Sequence, residues 1–276
     1  MNIRLIGTDL DGTLLDANGR ITDETRRALK MCEERGIKLA IASGRCFEMT
    51  YGFRKEAAAD MILICCNGSR IETDPDGEGA PLVDLRMPDA ASKQVYDTLM
   101  ASGLYFVAYR KGIMYVGNPD AKWHKDRPAG FHNWNGRVLE TVTDPVRVSE
   151  EVWHETYKYV IYSQDRGDIA SVREKLDKLP VRCESSWWDN CEIMRSDIDK
   201  GSALLKVAEA YGIKRDEIMA FGDNFNDCAM LKAAGWPVVM ENGEAEVKKL
   251  AKIIAPANTE NGVAQIIDRY ILEADT

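Results

Sequence analysis

The sequence has 276 residues, 45% hydrophobic and 29% charged, which is typical of a globular protein with one large domain or two modest ones. Its net charge of −9, with no long run of Lys and Arg to offset it, argues against a nucleic-acid partner. No stretch approaches 18 apolar residues, and the seven cysteines are odd in number without CxxC spacing. We therefore expect reduced thiols and a cytoplasmic protein without a signal peptide or membrane span.

Short apolar runs alternate with amphipathic segments at the start of the chain. Residues 3–8, 37–42 and 61–65 are predicted as buried strands, with helices at 22–34 and 47–58 between them. Because these strands are apolar throughout, the pattern predicts a parallel sheet with helices on both faces. A turn at 74–79 then joins two short strands.

The pattern of predicted strands and helices changes between residues 88 and 191. A helix at 90–102 leads to strands at 104–110 and 114–116, and a polar segment of weak periodicity, 119–156, follows. A strand at 157–163, a helix at 169–179 and strands at 181–186 and 190–195 complete an α+β unit with an antiparallel sheet. All three histidines, His124, His132 and His154, lie in this unit, and we expect structural roles for them.

The alternation of buried strands and helices seen at the start of the chain resumes after Lys200. Helices are predicted at 202–211, from the loop at 222–227 to residue 234, at 245–251, and from about residue 262 onwards. Strands are predicted at 218–221 and 237–240. We therefore predict a doubly wound, parallel-sheet α/β core made of both chain ends, residues 1–86 and 194–276. An α+β domain, residues 87–193, is inserted between them.

Two pairs of aspartates follow strands of the predicted core. Asp9 and Asp11 come after the first strand, and Asp223 and Asp227 come after the strand at 218–221. Ligands bind beyond the carboxyl ends of parallel strands, and nearby carboxylates favour a shared proton or a bound cation. Oxygen ligands of this kind suit Mg²⁺. Each pair alone is also consistent with a polar turn or a helix N-cap.

Two further features could bind phosphate. Ser43-Gly44-Arg45 offers a hydroxyl and backbone N–H groups at a helix start, although an ordinary capped helix has the same pattern. Lys200 could neutralise a phosphate and a carboxylate together, although a solvated lysine is the simpler interpretation. The core alone provides no Ser–His–Asp or Cys–His arrangement, and the common nucleotide-binding loops are absent from the sequence.

Four segments, taken in chain order, resemble the four motifs of the haloacid dehalogenase (HAD) superfamily. They are Asp9-Leu-Asp-Gly-Thr, Ser43, Lys200 and Gly222-Asp-Asn-Phe-Asn-Asp. The insertion between the second and third motifs resembles the type IIB cap of the Cof-type, sugar-phosphatase-like hydrolases. The resemblance covers the whole chain, is thinner in the insertion, and implies a Rossmann-like core. It also implies a Mg²⁺-dependent phosphatase of small phosphorylated metabolites, such as sugar phosphates, working through an aspartyl-phosphate.

The resemblance also implies roles for single residues. Asp9 would be the nucleophile, Asp11 the general acid and base, and Lys200 the group that stabilises the charge on the phosphoryl group. Mg²⁺ would be held by Asp9, by Asp11 through its backbone carbonyl, and by Asp223 and Asp227. Contacts to phosphate or substrate would come from Leu10, Gly12, Ser43, Gly44, Arg45, Asn67, Lys200 and Asn226.

Three questions stay open at this point. A phosphotransferase or phosphomutase would use the same aspartyl-phosphate, and an inactive binding or regulatory scaffold is an alternative even though every catalytic position is filled. Specificity would come from the inserted domain, where Trp187, Trp188 and Asp189 are candidates, although packing or a tight hairpin is the favoured interpretation. We expect a monomer or a weak homo-oligomer.

Overall fold

A sheet of eight described strands lies at the centre of the unit formed by the two chain ends, residues 1–84 and 198–276. The structure, a computed structural model, describes residues 1–74, 76–121, 138–185 and 188–273. The second unit, residues 85–197, has a sheet of its own. Within the described residues, no helix combines the length and apolar character needed to cross a membrane.

The sheet of the first unit is parallel over most of its width. Numbered along the whole chain, its strands are β1 (Leu5–Thr8), β2 (Lys38–Ala42), β3 (Met61–Cys65), β4 (Arg70–Glu72), β5 (Val83–Asp84), β12 (Ile218–Gly222), β13 (Trp236–Met240) and β14 (Ile253–Ala255). Their order is β14-β13-β12-β1-β2-β3-β4-β5. All pairs from β14 to β3 are parallel, and β4 and β5 extend the sheet in antiparallel pairing.

Helices cover both faces of this sheet. They are α1 (Asp23–Glu34), α2 (Phe47–Ala57), α6 (Lys200–Ala210), α7 (Cys228–Ala233), α8 (Ala245–Lys248) and α9 (Gly262–Ile267). On β1, Ile6 packs in the cluster that contains Leu29 of α1 and Ile267 of α9. Its neighbour Leu5 packs with Leu204 of α6 on the other face. Burial on both faces explains the continuous apolar strands, and the predicted doubly wound α/β fold is confirmed.

The boundaries of some elements differ from the predicted ones. The predicted helix at 245–251 ends at Lys248, because Leu250 and Ala251 donate to carbonyls three residues back and close a turn instead of extending the helix. The pattern missed β14 altogether, since it is a strand of three residues at the edge of the sheet.

The second unit is an α+β arrangement, as predicted. Its strands are β6 (Tyr105–Arg110), β7 (Ile113–Gly117), β8 (Glu140–Val142), β9 (Lys158–Tyr162), β10 (Val181–Glu184) and β11 (Asn190–Arg195), in the order β10-β11-β9-β6-β7-β8. All pairs are antiparallel except β7–β8. The helices are α3 (Asp89–Ser102), α4 (Pro145–Glu151) and α5 (Arg166–Leu176). One sheet face packs through Phe106 and Tyr159 against Val95 of α3 and Val172 of α5.

Several predictions for this unit need correction or completion. β8 and α4 lie in the polar segment where no element was predicted, because both are short and largely exposed. α5 begins at Arg166 rather than 169, since the Asp165 side chain accepts from the backbone N–H of Gly167 and caps it. Asp189 is buried, whereas Trp188 is exposed. Trp187, His124 and His132 lie outside the described residues, and His154 contacts Asp89.

Candidate active site

The carboxyl ends of β1 and β12 lie side by side. The two strands pair in parallel with Thr8 opposite Phe221, and the backbone N–H of Asp9 continues the ladder by donating to the carbonyl of Phe221 at 3.0 Å. Residues that follow the two strands therefore meet at one edge of the sheet. Asp9 and Asp223, one from each predicted aspartate pair, are brought together there.

Lys200 is buried between two of these aspartates. Its Nζ donates to Asp9 Oδ1 and to Asp227 Oδ1, both at 2.6 Å, and its side chain has 0% exposure. A Cβ on the next residue, Gly201, would lie 2.3 Å from the carbonyl oxygen of Ala229, so the start of α6 runs against α7. This close approach carries the lysine into the site, and the interpretation as a solvated lysine is wrong.

Hydrogen bonds fix the other two carboxylates of the cluster. Asp227 Oδ2 accepts from the backbone N–H groups of Asp223 and Asn224, at 3.0 and 3.1 Å. The Thr13 hydroxyl donates to Asp223 Oδ1 at 2.7 Å. Asp227 thus has both oxygens engaged by the protein and holds the turn after β12 in shape.

The charges of the cluster are unbalanced, since one ammonium group faces three carboxylates. Burial raises the pKa of Asp9 well above its usual value, and the charge of Asp227 adds to the shift. Burial and Asp227 likewise raise the pKa of Asp223 to about 6. Burial alone would lower the pKa of Lys200, but the charges of Asp227 and Asp9 hold it above its usual value. Additional positive charge would therefore stabilise the ionised carboxylates.

The donor set fits a divalent cation that prefers oxygen ligands. One carboxylate oxygen from each of Asp9, Asp223 and Asp227 lies within 4.8 Å of the other two. Such a cation would supply the positive charge that Lys200 alone does not provide. The Asp11 carboxylate is not part of this group of three, which leaves only its backbone carbonyl for the predicted metal contact.

Asp11 instead forms a two-pronged ion pair with Arg45. Nε of Arg45 donates to Asp11 Oδ2 at 2.9 Å, and Nη2 donates to Oδ1 at 2.6 Å. The Arg45 side chain is 12% exposed and that of Asp11 is 59% exposed. Both were predicted to act on the substrate, and their contact with each other was not foreseen.

The predicted phosphate cradle lies at the ends of β2 and β3. The Ser43 carbonyl accepts from the backbone N–H of Asn67 at 3.0 Å, and the Ser43 hydroxyl accepts from the N–H of Arg45 at 3.2 Å. Ser43 and Asn67 are both buried, and Asn67 adopts left-handed backbone geometry with φ of 53°. Gly44 lies between Ser43 and Arg45 in the same turn.

The remaining predicted residues lie around the turn after β1 and the turn before α7. Leu10 packs its side chain in the core, which leaves only its backbone for a phosphate contact. Asn226 is half-buried in the turn that precedes α7. Gly12 has a left-handed φ of 82°, and a Cβ there would lie 2.5 Å from Asp223 Oδ2.

Sequence reasoning missed two residues that shape this turn. Thr13 holds Asp223, and its place directly after Asp11-Gly12 was the available signal. Asn242 donates from Nδ2 to the carbonyl of Gly12 at 2.8 Å and accepts from the N–H of Asn258. Nothing in the sequence around Asn242 distinguishes it from an ordinary turn residue.

Comparison with known proteins gives a consistent result over nearly the whole chain. A family model of haloacid dehalogenase-like hydrolases matches residues 6–267. The pyridoxal phosphate phosphatase YbhA of Escherichia coli (strain K12) is 30% identical, with 99% of this chain and 100% of the relative covered. The 5-amino-6-(5-phospho-D-ribitylamino)uracil phosphatase YwtE of Bacillus subtilis (strain 168) is 29% identical, with 98% of each covered. A haloacid dehalogenase-like hydrolase from Bacteroides thetaiotaomicron has a TM-score of 0.82 at 27% identity, covering 97% of this chain and 99% of that one.

Proposed function

Since the chain belongs to the haloacid dehalogenase-like hydrolases, we propose that it is a Mg²⁺-dependent phosphatase that passes a phosphoryl group from a small monoester to Asp9 and then to water. The enzyme class, a hydrolase of phosphate monoesters, follows from the family and from relatives that are named phosphatases. The observation that carries the proposal is the buried cluster in which Lys200 bridges Asp9 and Asp227 beside Asp223.

In this mechanism Asp9 is the nucleophile. Lys200 fixes its Oδ1, and Oδ2, which has no hydrogen-bond partner among the described residues, attacks phosphorus. The bond from phosphorus to the leaving oxygen breaks as the bond to Asp9 forms, and Asp11 donates a proton to the leaving oxygen. Asp11 then takes a proton from water, which attacks phosphorus, frees Asp9 and releases inorganic phosphate.

The remaining residues bind and neutralise the phosphoryl group. Asp9, Asp223, the Asp11 backbone carbonyl and, in support, Asp227 would hold the cation. When bound, it places positive charge between two anions, a carboxylate and a phosphate, that otherwise repel each other. Lys200 adds a second charge, and Ser43 with neighbouring backbone N–H groups completes the phosphate contacts.

The names of two relatives support a proposal for the substrate class. YbhA is named for pyridoxal phosphate, and YwtE is named for 5-amino-6-(5-phospho-D-ribitylamino)uracil. We propose a phosphorylated metabolite of similar size, such as a sugar phosphate or a phosphorylated cofactor precursor.

A panel of phosphorylated metabolites, with Mg²⁺ and after chelation, tests this function. We expect release of inorganic phosphate from a subset of the panel, with loss of activity on chelation and recovery on adding Mg²⁺. Transfer of the phosphoryl group to an added sugar in preference to water would make the protein a phosphotransferase. Failure to turn over any member, with the metal present, would favour an inactive scaffold.

Mg²⁺ should also stabilise the fold, because a ligand that binds only the folded state shifts the unfolding equilibrium. At a hundred times its Kd, the gain is about 2.7 kcal/mol. Asp223→Asn should remove most of this gain, since it deletes one of the three clustered carboxylates. The control is Asp97→Asn, which changes a carboxylate paired with Lys93 on α3. Thermal unfolding with and without Mg²⁺ measures the stabilisation of each variant by the metal. Equal stabilisation of Asp223→Asn and Asp97→Asn would count against Asp223 as a ligand.

Gly12→Ala is expected to impair both stability and catalysis. Gly19 has a similar left-handed φ of 71°, but nothing lies within 4 Å of the position of its Cβ. Gly19→Ala should therefore cost only the backbone term, about 1–2 kcal/mol. Gly12→Ala adds displacement of Asp223 and should also lower kcat/KM by roughly a hundredfold, as expected for a small misplacement of reacting groups. Urea unfolding and the phosphatase assay compare the two, and equal kcat/KM in both would mean that the fit between Gly12 and Asp223 has no catalytic importance.

A further inference from the structure

The ion pair between Arg45 and Asp11 conflicts with the role proposed for Asp11. Both oxygens of the Asp11 carboxylate accept hydrogen bonds from the guanidinium, at 2.6 and 2.9 Å. Each oxygen keeps a further lone pair, but a proton placed on either one weakens a charge-assisted bond to the guanidinium, so the ion pair opposes the proton transfers proposed for Asp11. The arrangement therefore corresponds to a resting state of the enzyme.

Arg45 is the better anchored of the two partners. Its guanidinium lies over the ring of Phe53 at 5.2 Å, its backbone N–H donates to the Ser43 hydroxyl, and its carbonyl accepts from the N–H of Cys66 at 2.8 Å. Asp11 is more exposed and precedes Gly12, whose left-handed backbone makes the turn. The pair opens when the exposed Asp11 side chain moves away and the Arg45 guanidinium donates its two hydrogen bonds to another acceptor.

A phosphate group is a natural competitor for this arginine. Its oxygens match the guanidinium fork in the same two-pronged manner as a carboxylate, and a dianion carries more charge. Arg45 also stands at the end of β2, the strand that pairs with β1, from which Asp9 and Asp11 emerge. Through its contact with Asp11, the guanidinium is held against a residue only two positions along the chain from the proposed nucleophile, Asp9.

We infer that Arg45 holds Asp11 in the free enzyme and then exchanges it for the phosphate of the substrate, which releases Asp11 for proton transfer. The inference rests on the proposed function and adds an order of events to it. The general acid becomes available only after a phosphate has taken its place on Arg45. We call this exchange of partners by Arg45, from Asp11 to phosphate, the latch. It would keep the nucleophile and the acid from acting together before substrate is bound.

Affinity for inorganic phosphate, measured by calorimetry in the presence of Mg²⁺, tests the exchange without any turnover. Asp11→Asn weakens the competitor for Arg45 and should tighten phosphate binding by about tenfold, a coupling of the size found between contacting residues. The same substitution in the R45M background should change affinity less than twofold, since the competition is gone. Equal tightening in both backgrounds would mean that Asp11 acts through its charge alone, and would overturn the latch.

Kinetics with two leaving groups supply a second test. If Arg45 exchanges partners, R45M should raise KM for an alkyl phosphate and for p-nitrophenyl phosphate alike, by about tenfold or more, while kcat falls less. If Arg45 only orients Asp11, R45M should instead lower kcat selectively for the alkyl phosphate, whose poor leaving group needs the acid. R45K, which keeps the charge but loses the fork, should recover part of the KM effect.

The two tests separate failure of the latch from failure of the proposed function. If the protein hydrolyses phosphate esters but the double-mutant cycle shows no coupling, the latch is wrong and the phosphatase stands. If wild-type protein neither binds phosphate nor hydrolyses any ester, the proposed function itself is wrong, and the latch with it. Melting temperatures of R45M and R45K establish that the variants are folded.

Discussion

Asp9→Asn should lower kcat by at least about 10⁴-fold, because the variant lacks the oxygen nucleophile on which the proposed covalent step depends. The change is nearly isosteric, so the neighbouring backbone and the contact between Lys200 and Asp227 can remain in place. The loss should therefore appear in the chemical step, with a much smaller change in the affinity for inorganic phosphate.

The control for this substitution is Asp177→Asn. Asp177 is an exposed residue at the C-terminal end of α5, in the other unit of the chain, and its replacement should leave kcat unchanged. Steady-state assays with a responsive metabolite and Mg²⁺ measure both variants. Retention of more than a few per cent of wild-type kcat by Asp9→Asn, in protein free of wild-type contamination, would remove Asp9 from the role of nucleophile.

Lys200→Met is expected to have the largest effect on stability. It leaves Asp9 and Asp227 buried without their shared cation, and breaking a buried pair in this way costs about 3–5 kcal/mol. Asp9 can relieve part of that cost by taking up a proton, since burial already raises its pKa. Activity should fall as well, because Lys200 no longer fixes the nucleophile or neutralises the phosphoryl group.

Lys248→Met is the matched comparison. Lys248 makes an ion pair with Glu241 at 3.5 Å that is far more exposed, and its loss should change the free energy of unfolding by less than about 0.5 kcal/mol. Urea unfolding without and with Mg²⁺ measures both variants. If Lys200→Met cost no more than Lys248→Met, the two bonds of Lys200 would contribute nothing to folding, and the description of the cluster as an electrostatic unit would be wrong.

That Asp9 and Asp223 lie at the same edge of the sheet was predictable from sequence, because both residues follow strands of one parallel sheet. Both residues follow apolar runs, and in a parallel sheet the carboxyl ends of the strands share one edge. The burial of Lys200 was not predictable in the same way. It depends on how closely α6 approaches α7 at Gly201, and that distance is set by packing between segments that are far from Asp9 in the chain.

The pairing of Arg45 with Asp11 shows a second limit of sequence reasoning. Each residue was assigned a partner outside the protein, so their contact with each other was not considered. The missed elements have a different cause. β8 has three residues and α4 has seven, with few apolar positions, so neither gives a periodic pattern long enough to recognise.

The assembly of the core from both chain ends has a consequence for biosynthesis. The hydrogen bond from Lys200 to Asp9 joins residues 191 positions apart, so at about 5–20 residues per second the ribosome needs roughly 10–40 s to supply the lysine after the aspartate. During that interval β1 has β2 as a neighbour but lacks β12, and one of its edges stays open to pairing with other chains. The nascent chain is therefore both inactive and vulnerable to aggregation until its last third emerges.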